Sequence, residues 1–341
     1  MHSTLSRALI VLVLLLGAAG SVAHGVLPDR SGWREDYRRP AEIPFPDENP
    51  YSDAKAELGR MLFFDPLLSG SRSRSCATCH NPSLSWGDGL ARAIGEGQAA
   101  MMLRAPTLLN VAWTPQLGWD GKFRDLESVA FTPITSATNM NLPEPMLIER
   151  LASIPGYVRA FAGVFGDAPL TRRKIEAALA TYERTIVAAT APFDRWVAGD
   201  EQAVDDSAKR GFEIFTGKGR CSECHSGWAF TDGSFHDIGA AEDEDVGRGR
   251  LFPTSVQLRH AFKTPTLRDV ARRAPYMHNG SLATLQDVIA LYDRGGIARP
   301  SRSPLIAPLG LSETEKADLV AFMQTLTGDP QPVLLPVLPR L

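Results

Sequence analysis

All four cysteines of this chain fall in two pentapeptides, "CATCH" (Cys76, Cys79, His80) and "CSECH" (Cys221, Cys224, His225). Two thiols three positions apart, with a histidine directly after the second, is the attachment spacing of a c-type haem. Each thiol can form a thioether to one haem vinyl group, and the neighbouring imidazole can reach the iron from the proximal side. Two disulfides, one zinc site built from both cysteine pairs, or a pair of redox motifs would use the same thiols. A zinc ribbon does not require a histidine after each second cysteine, and a thioredoxin-like motif does not require a second copy. The repeated histidine therefore favours two covalently bound haems c, with His80 and His225 as their iron ligands.

A haem has to be enclosed by apolar surface, and the two motifs lie about one domain length apart along the chain. Two cytochrome c-like domains follow, 51–200 and 201–330, with a tail over 331–341. Ahead of the first motif, "YSDAKAELGRMLFF" sets Leu58, Met61 and Leu62 on one helical face. Between the motifs, "TRRKIEAALATYERTIVAA" aligns Ile175, Ala178, Leu179, Tyr182 and Ile186 in one stripe. A helix over Ala208 to Phe215 leads into the second motif. The last helix opens at Ser312 with a capping box to Glu315, turns Leu319, Phe322, Met323 and Leu326 inward, and stops at Gly328. Strand signals are weak everywhere, so the fold is expected to be mainly α.

Residues 1–23 have the form of a secretion signal: Arg7, the apolar run "ALIVLVLLLGAAG" and the small-residue cleavage site "SVA". That run is too short to span a bilayer, and no second long apolar run follows, so a periplasmic protein without a membrane span after cleavage is expected. The segment 24–50, rich in proline and charge, reads as an extended arm on the surface. With 36 basic against 39 acidic side chains and no basic clusters, the chain excludes nucleic acid as a partner. Its 44% hydrophobic residues suffice for two cores, and 25 prolines with 29 glycines imply long structured loops between short helices.

"LGRMLFFDPLLSGSRSRSCATCHNPSLSWGDG", "RAPTLLNVAW", "GWDGKFRDLE", "FKTPTLRDVARRAPYMHNGSLATLQDVI" and "VAFMQTLTG" together resemble, in order over residues 50–328, the bacterial dihaem cytochrome c peroxidase and MauG superfamily. The resemblance implies an N-terminal haem where peroxide reacts and a C-terminal haem that stores or relays an oxidising equivalent. His80 and His225 would be the proximal ligands. It also implies a tryptophan between the two haems, here Trp119 of "GWDG". Trp33, Trp86, Trp113, Trp196 and Trp228 read as large core residues.

Three departures from the family pattern sort its branches. Ordinary dihaem peroxidases carry a second histidine ligand in an "IGH" loop; this chain has "IGE", with Glu96 at that place, so the first iron is expected to be five-coordinate and open. Their axial methionine, counted from the histidine of "PYFHDG" (here His278), falls on Tyr292, where MauG-type enzymes have a tyrosine ligand. Leu285, Val288, Ile289 and Tyr292 share one face of a short helix behind a Thr284/Asp287 capping box. That pattern alone suits a packed tyrosine better than a ligand, whereas the family spacing favours the ligand; Met277 competes for the same role. A thioether favours ferrous iron, whereas a phenolate stabilises higher oxidation states. Third, the family's distal glutamate aligns with Asn139, so the proton shuttle passes to Glu96 or Glu144, with Asn139 positioning a water.

Family members also hold calcium between the haems, through an asparagine before "APT" and backbone groups before "PY". Arg104 and Arg273 stand at those positions, and their charges repel a cation. A guanidinium is expected to replace the ion, unless both side chains point away and only carbonyl oxygens bind. His236 and His260 read as structural residues or propionate neighbours.

Tyr292, "IGE" and "TNMNLPEPMLIERL" most resemble the MbnH-type branch. That branch implies a periplasmic H2O2-dependent oxidoreductase that brings both haems to a bis-Fe(IV)-like state. The equivalents would then be drawn from an aromatic residue, a tryptophan converted to kynurenine, of a copper-binding MbnP-like partner. An ordinary peroxidase fed by a small cytochrome or cupredoxin would need the methionine and histidine ligands. A non-catalytic electron-transfer dihaem cytochrome would have two six-coordinate haems indifferent to peroxide.

Overall fold

The computed structural model describes residues 32–242, 244–330 and 332–340, so the expected signal peptide, 1–23, lies outside the described residues. The longer helices are α1 (Asp53–Phe64), α2 (Glu144–Ala152), α3 (Pro155–Phe165), α4 (Arg172–Arg184), α5 (Asp206–Thr216), α6 (Leu285–Arg294) and α7 (Glu313–Gln324). Two-residue strands β1 (Phe235–His236) and β2 (Phe262–Lys263) pair antiparallel. The rest of the described chain is short helical turns and loop, which is the mainly α architecture that the weak strand signals imply.

One helix pair organises each half. Ser52 caps α1 by accepting from the Lys55 amide at 3.3 Å, and Leu58, Leu62 and Phe63 of α1 are buried in one core with Ile175, Leu179 and Tyr182 of α4. The axes approach so closely at Gly59 that a Cβ there would lie 1.9 Å from the Ala178 carbonyl oxygen. In the second half Asp205 caps α5 through the Ala208 amide at 2.8 Å, and α5 meets α7 in the same way. A Cβ on Gly211 would lie 2.0 Å from the Asp318 carbonyl oxygen. Aligning the two crossings sets Phe63 on Phe215, Leu179 on Leu319, Tyr182 on Phe322 and Ile186 on Leu326, all of them buried. The pairs are one structural unit used twice, and only glycine permits either crossing.

Apolar packing passes from the first core to the second between Ala188 and Phe193, a few residues before position 200. The arm does more than lie extended on the surface. Its first described residues form a helical turn (Trp33–Asp36), and Tyr37 is buried in the second core against Phe193, Phe212 and Phe230, at ring separations of 5.7, 5.4 and 5.0 Å. Aromatic area of this kind is worth more buried than exposed, which a proline-rich composition does not reveal. Among the described residues no helix is long and apolar enough to cross a membrane.

Candidate haem centres and the seam between them

Cys76–Cys79 is a single helical turn, closed by the Ser75 amide on Thr78 Oγ1 at 3.0 Å, and His80 follows directly. His80 Nδ1 lies 3.2 Å from the Trp86 carbonyl oxygen, and His225 Nδ1 lies 2.9 Å from that of Phe230. Burial lowers the pKa of both imidazoles, so each ring is neutral, its Nδ1–H is engaged by the backbone, and Nε2 keeps a lone pair for iron. The four cysteines form no disulfide. Burial pushes the Cys76 thiol up and the Cys221 thiol up to about 12.

Cys221, Cys224 and His225 open onto a large, mostly apolar cavity that also reaches Tyr292, Met277 and Met323. Cations interrupt this wall: Arg104, Arg220, Lys263, Arg272 and Arg273. Burial alone pushes Lys263 down to about 8, and Arg273 Nε is buried without a partner. His236, hydrogen-bonded to Asp232 at 2.7 Å, has its pKa raised to about 10 by that carboxylate and by the Cys224 sulfur. Arg220 is paired with Glu223 at 2.9 Å, and the other cations are left along an apolar slot that thiols and an imidazole face, which fits a c-type haem and its two propionates.

Tyr292 stands in the last turn of α6, whose Thr284/Asp287 capping box forms as the sequence suggests. Its hydroxyl has no hydrogen-bond partner among the described residues, and burial, with the two nearby cysteine sulfurs, pushes its pKa up. Met277 also reaches the cavity, from a left-handed backbone position of φ 71°.

Trp119 sits in the seam between the halves. Its Nε1–H donates to the Arg104 carbonyl at 3.0 Å, and its own carbonyl accepts the Lys263 amide at 2.8 Å. The Asp120 carbonyl accepts Arg248 Nη1 at 2.7 Å. Gly121, at φ 69°, is pinned as well, since a Cβ there would lie 2.1 Å from the Phe235 ring. The Trp119 ring is 6.5 Å from His278, which stacks on Phe262 at 3.7 Å and bonds Asp245 Oδ2 through Nε2 at 2.7 Å. The Asp245 carbonyl lies 2.9 Å from His260 Nδ1. Asp245 thus organises both histidines. Nothing in its local sequence marks that role, because its partners come from other loops.

The residues expected to handle protons separate into two places. The Glu96 amide donates to the Asn139 carbonyl at 2.7 Å, so these two loops are joined. The Glu96 carboxylate accepts from Ser71 at 3.1 Å and lies 4.0 Å from Arg74 Nε. Glu144 instead opens α2, half-exposed and paired with Arg172 at 3.7 Å.

Two covalent haem motifs, each on its own cytochrome c helix pair and separated by a tryptophan seam, define a dihaem c-type oxidoreductase. The family described as di-haem cytochrome c peroxidase matches residues 53–202, and that described as cytochrome c matches 208–327. The chain belongs to the MauG and dihaem cytochrome c peroxidase family. It is 49% identical over 325 residues to methylamine utilization protein MauG of Methylorubrum extorquens, covering 95% of this chain and 92% of that one. Identity to the protein of the same name from Methylophilus methylotrophus is 44%, over 98% and 100% of the two chains. Among solved structures, a MauG-like protein associated with microbial copper homeostasis superposes with a TM-score of 0.79, at 29% identity over 85% of this chain and 94% of that one. The chain is therefore a peroxide-using haem enzyme that carries two covalently bound haems c.

Proposed function

We propose that the chain works in the periplasm as a MauG-type enzyme that oxidises an aromatic residue of a partner protein at the expense of H2O2. Each peroxide takes up two electrons and two protons and leaves as two waters; the electrons and protons come from a tryptophan of the partner, to which one water adds its oxygen. When bound, the haems supply peroxide cleavage and the holding of oxidising equivalents. The observation that carries the reading is the Tyr292 phenol, without a hydrogen-bond partner among the described residues, which shares one apolar cavity with Cys221, Cys224 and His225.

Tyr292 would hold the iron of the C-terminal haem together with His225, across the cavity that both residues line. Burial keeps the proton on the free phenol; with iron bound, the oxygen would serve as a phenolate donor, which favours the higher oxidation states. Met277 is left as a wall residue. Trp119, held by Arg104 and Lys263, gives electrons a path through the seam. At the N-terminal haem, which no histidine caps at position 96, Asn139 orients a water and Glu96 exchanges protons with it.

The partner that we favour is a protein of methylamine utilisation, supported by the 49% and 44% identities over nearly the whole chain. A second reading is a copper-binding MbnP-like protein whose tryptophan becomes kynurenine, supported by the structural likeness to a copper-homeostasis relative. Titration of the haem-loaded protein with H2O2, followed by absorption and EPR, tests the common core of both. A resting high-spin plus low-spin pair converting to a long-lived EPR-silent product is expected, and two low-spin haems unmoved by peroxide overturn it. Mass spectrometry of each purified partner after turnover then separates the two readings by which one gains oxygen at tryptophan.

A further inference from the structure

Arg104 joins three loops of the seam through three bonds of 3.0 Å. Its amide donates to the His278 carbonyl, its carbonyl accepts Trp119 Nε1–H, and its guanidinium Nη2 donates to the Arg273 carbonyl. The first half of the molecule is thereby fastened to the "PYMH" loop of the second at the residue that also holds the tryptophan. Arg273 turns its own guanidinium to the Thr266 carbonyl. Asp88 is the acid whose charge favours the Arg104 cation, and Asp269 plays that part for Arg273.

Calcium, which the family resemblance implies between the haems, does not fit these residues. The ion needs six to eight oxygen ligands. Here the side chain expected to offer an oxygen is a cation, and its nitrogen already lies on the carbonyl that would face the ion. A dication would also have to enter beside the guanidinium groups of Arg104 and Arg273. The alternative in which both arginines point away is not what the side chains do.

We propose that the Arg104 guanidinium is the resident cation between the two haem centres, that the enzyme works without calcium, and that Arg104 is a positioning residue for Trp119. Its part in positioning Trp119 rests on the function proposed above, whereas the calcium content does not.

The haem-loaded protein is dialysed against EGTA or supplied with CaCl2, its metal content is measured by mass spectrometry, and H2O2 is added. Substoichiometric calcium and the same spectral response in both samples are expected. One retained calcium per chain, or a response lost in EGTA and restored by calcium, overturns the proposal. In a second arm, Arg104→Ala slows conversion of the C-terminal haem by about tenfold or more relative to the N-terminal haem, and millimolar guanidinium ion restores part of the rate. A lowered melting temperature with both haems still converting together would make Arg104 merely structural and overturn the positioning role. If wild-type protein ignores peroxide, the proposed function fails while the calcium content still decides this inference.

Discussion

The two haem regions are built on one helix pair and differ in what that pair presents. At equivalent positions past the glycine crossing, the first half carries Glu183 and the second Met323. Glu183 is buried and its carboxyl is pushed up to about 8 by that burial, whereas Met323 lines the apolar cavity. The histidine hydrogen bonds differ too, 3.2 Å for His80 against 2.9 Å for His225, and a firmer bond makes the ligating imidazole more basic. Loops complete the contrast, with Glu96 and Asn139 joined in the first half and a bare tyrosine hydroxyl in the second. The scaffold is duplicated, and function enters through a few side chains that break the symmetry.

That comparison can be broken at its foundation first. Gly59→Ala and Gly211→Ala each drive a methyl into a backbone carbonyl and are expected to cost about 3 kcal/mol, measured by thermal unfolding; a large loss at one site only would mean that the pairs are not equivalent. Next in size, Tyr292→Met is expected to lower partner oxidation by about a hundredfold and to change the low-spin EPR signal. An unaltered spectrum would remove Tyr292 from the iron.

Glu183→Gln probes the first half alone. Its carboxyl keeps a proton in the fold up to about pH 8 but ionises near 4.5 when unfolded, so folding binds a proton between those values. Stability is full below the lower value and falls as pH rises toward the upper one, and the amide is expected to flatten that decline by about 2 kcal/mol between pH 5 and 8. Denaturant titrations at both pH values read the difference, and parallel curves for variant and wild type would contradict it. Smallest of the four, Trp119→Phe keeps most of the ring and loses the bond to the Arg104 carbonyl; about a tenfold slower partner oxidation is expected, with an unchanged rate arguing for packing alone.

Local patterns carried the sequence reading furthest. The haem motifs, the capping boxes at Thr284 and Ser312, and the stripes of α4 and α7 depend on neighbours within a turn or two, and the structure contains them. Features that depend on distant loops were not legible. Asp245 reaches His278, and Arg248 reaches the Asp120 carbonyl, yet neither belongs to any periodic pattern. The opening of α2 has the same character: Glu144 reads as a site candidate by its motif, and its pairing with Arg172 comes from another helix. Family register, and not helical spacing, distinguishes Tyr292 and Trp119 from the other tyrosines and tryptophans of the chain.

The anchoring of Tyr37 bears on the order of assembly. Its partners Phe193, Phe212 and Phe230 are synthesised long after it and belong to the second core, so Tyr37 is covered only when that core is in place. The start of the arm is thus a late piece of the fold, a latch that shuts only once the second core exists. Protease resistance at Trp33–Tyr37 would therefore report that the molecule is finished, not that it has begun.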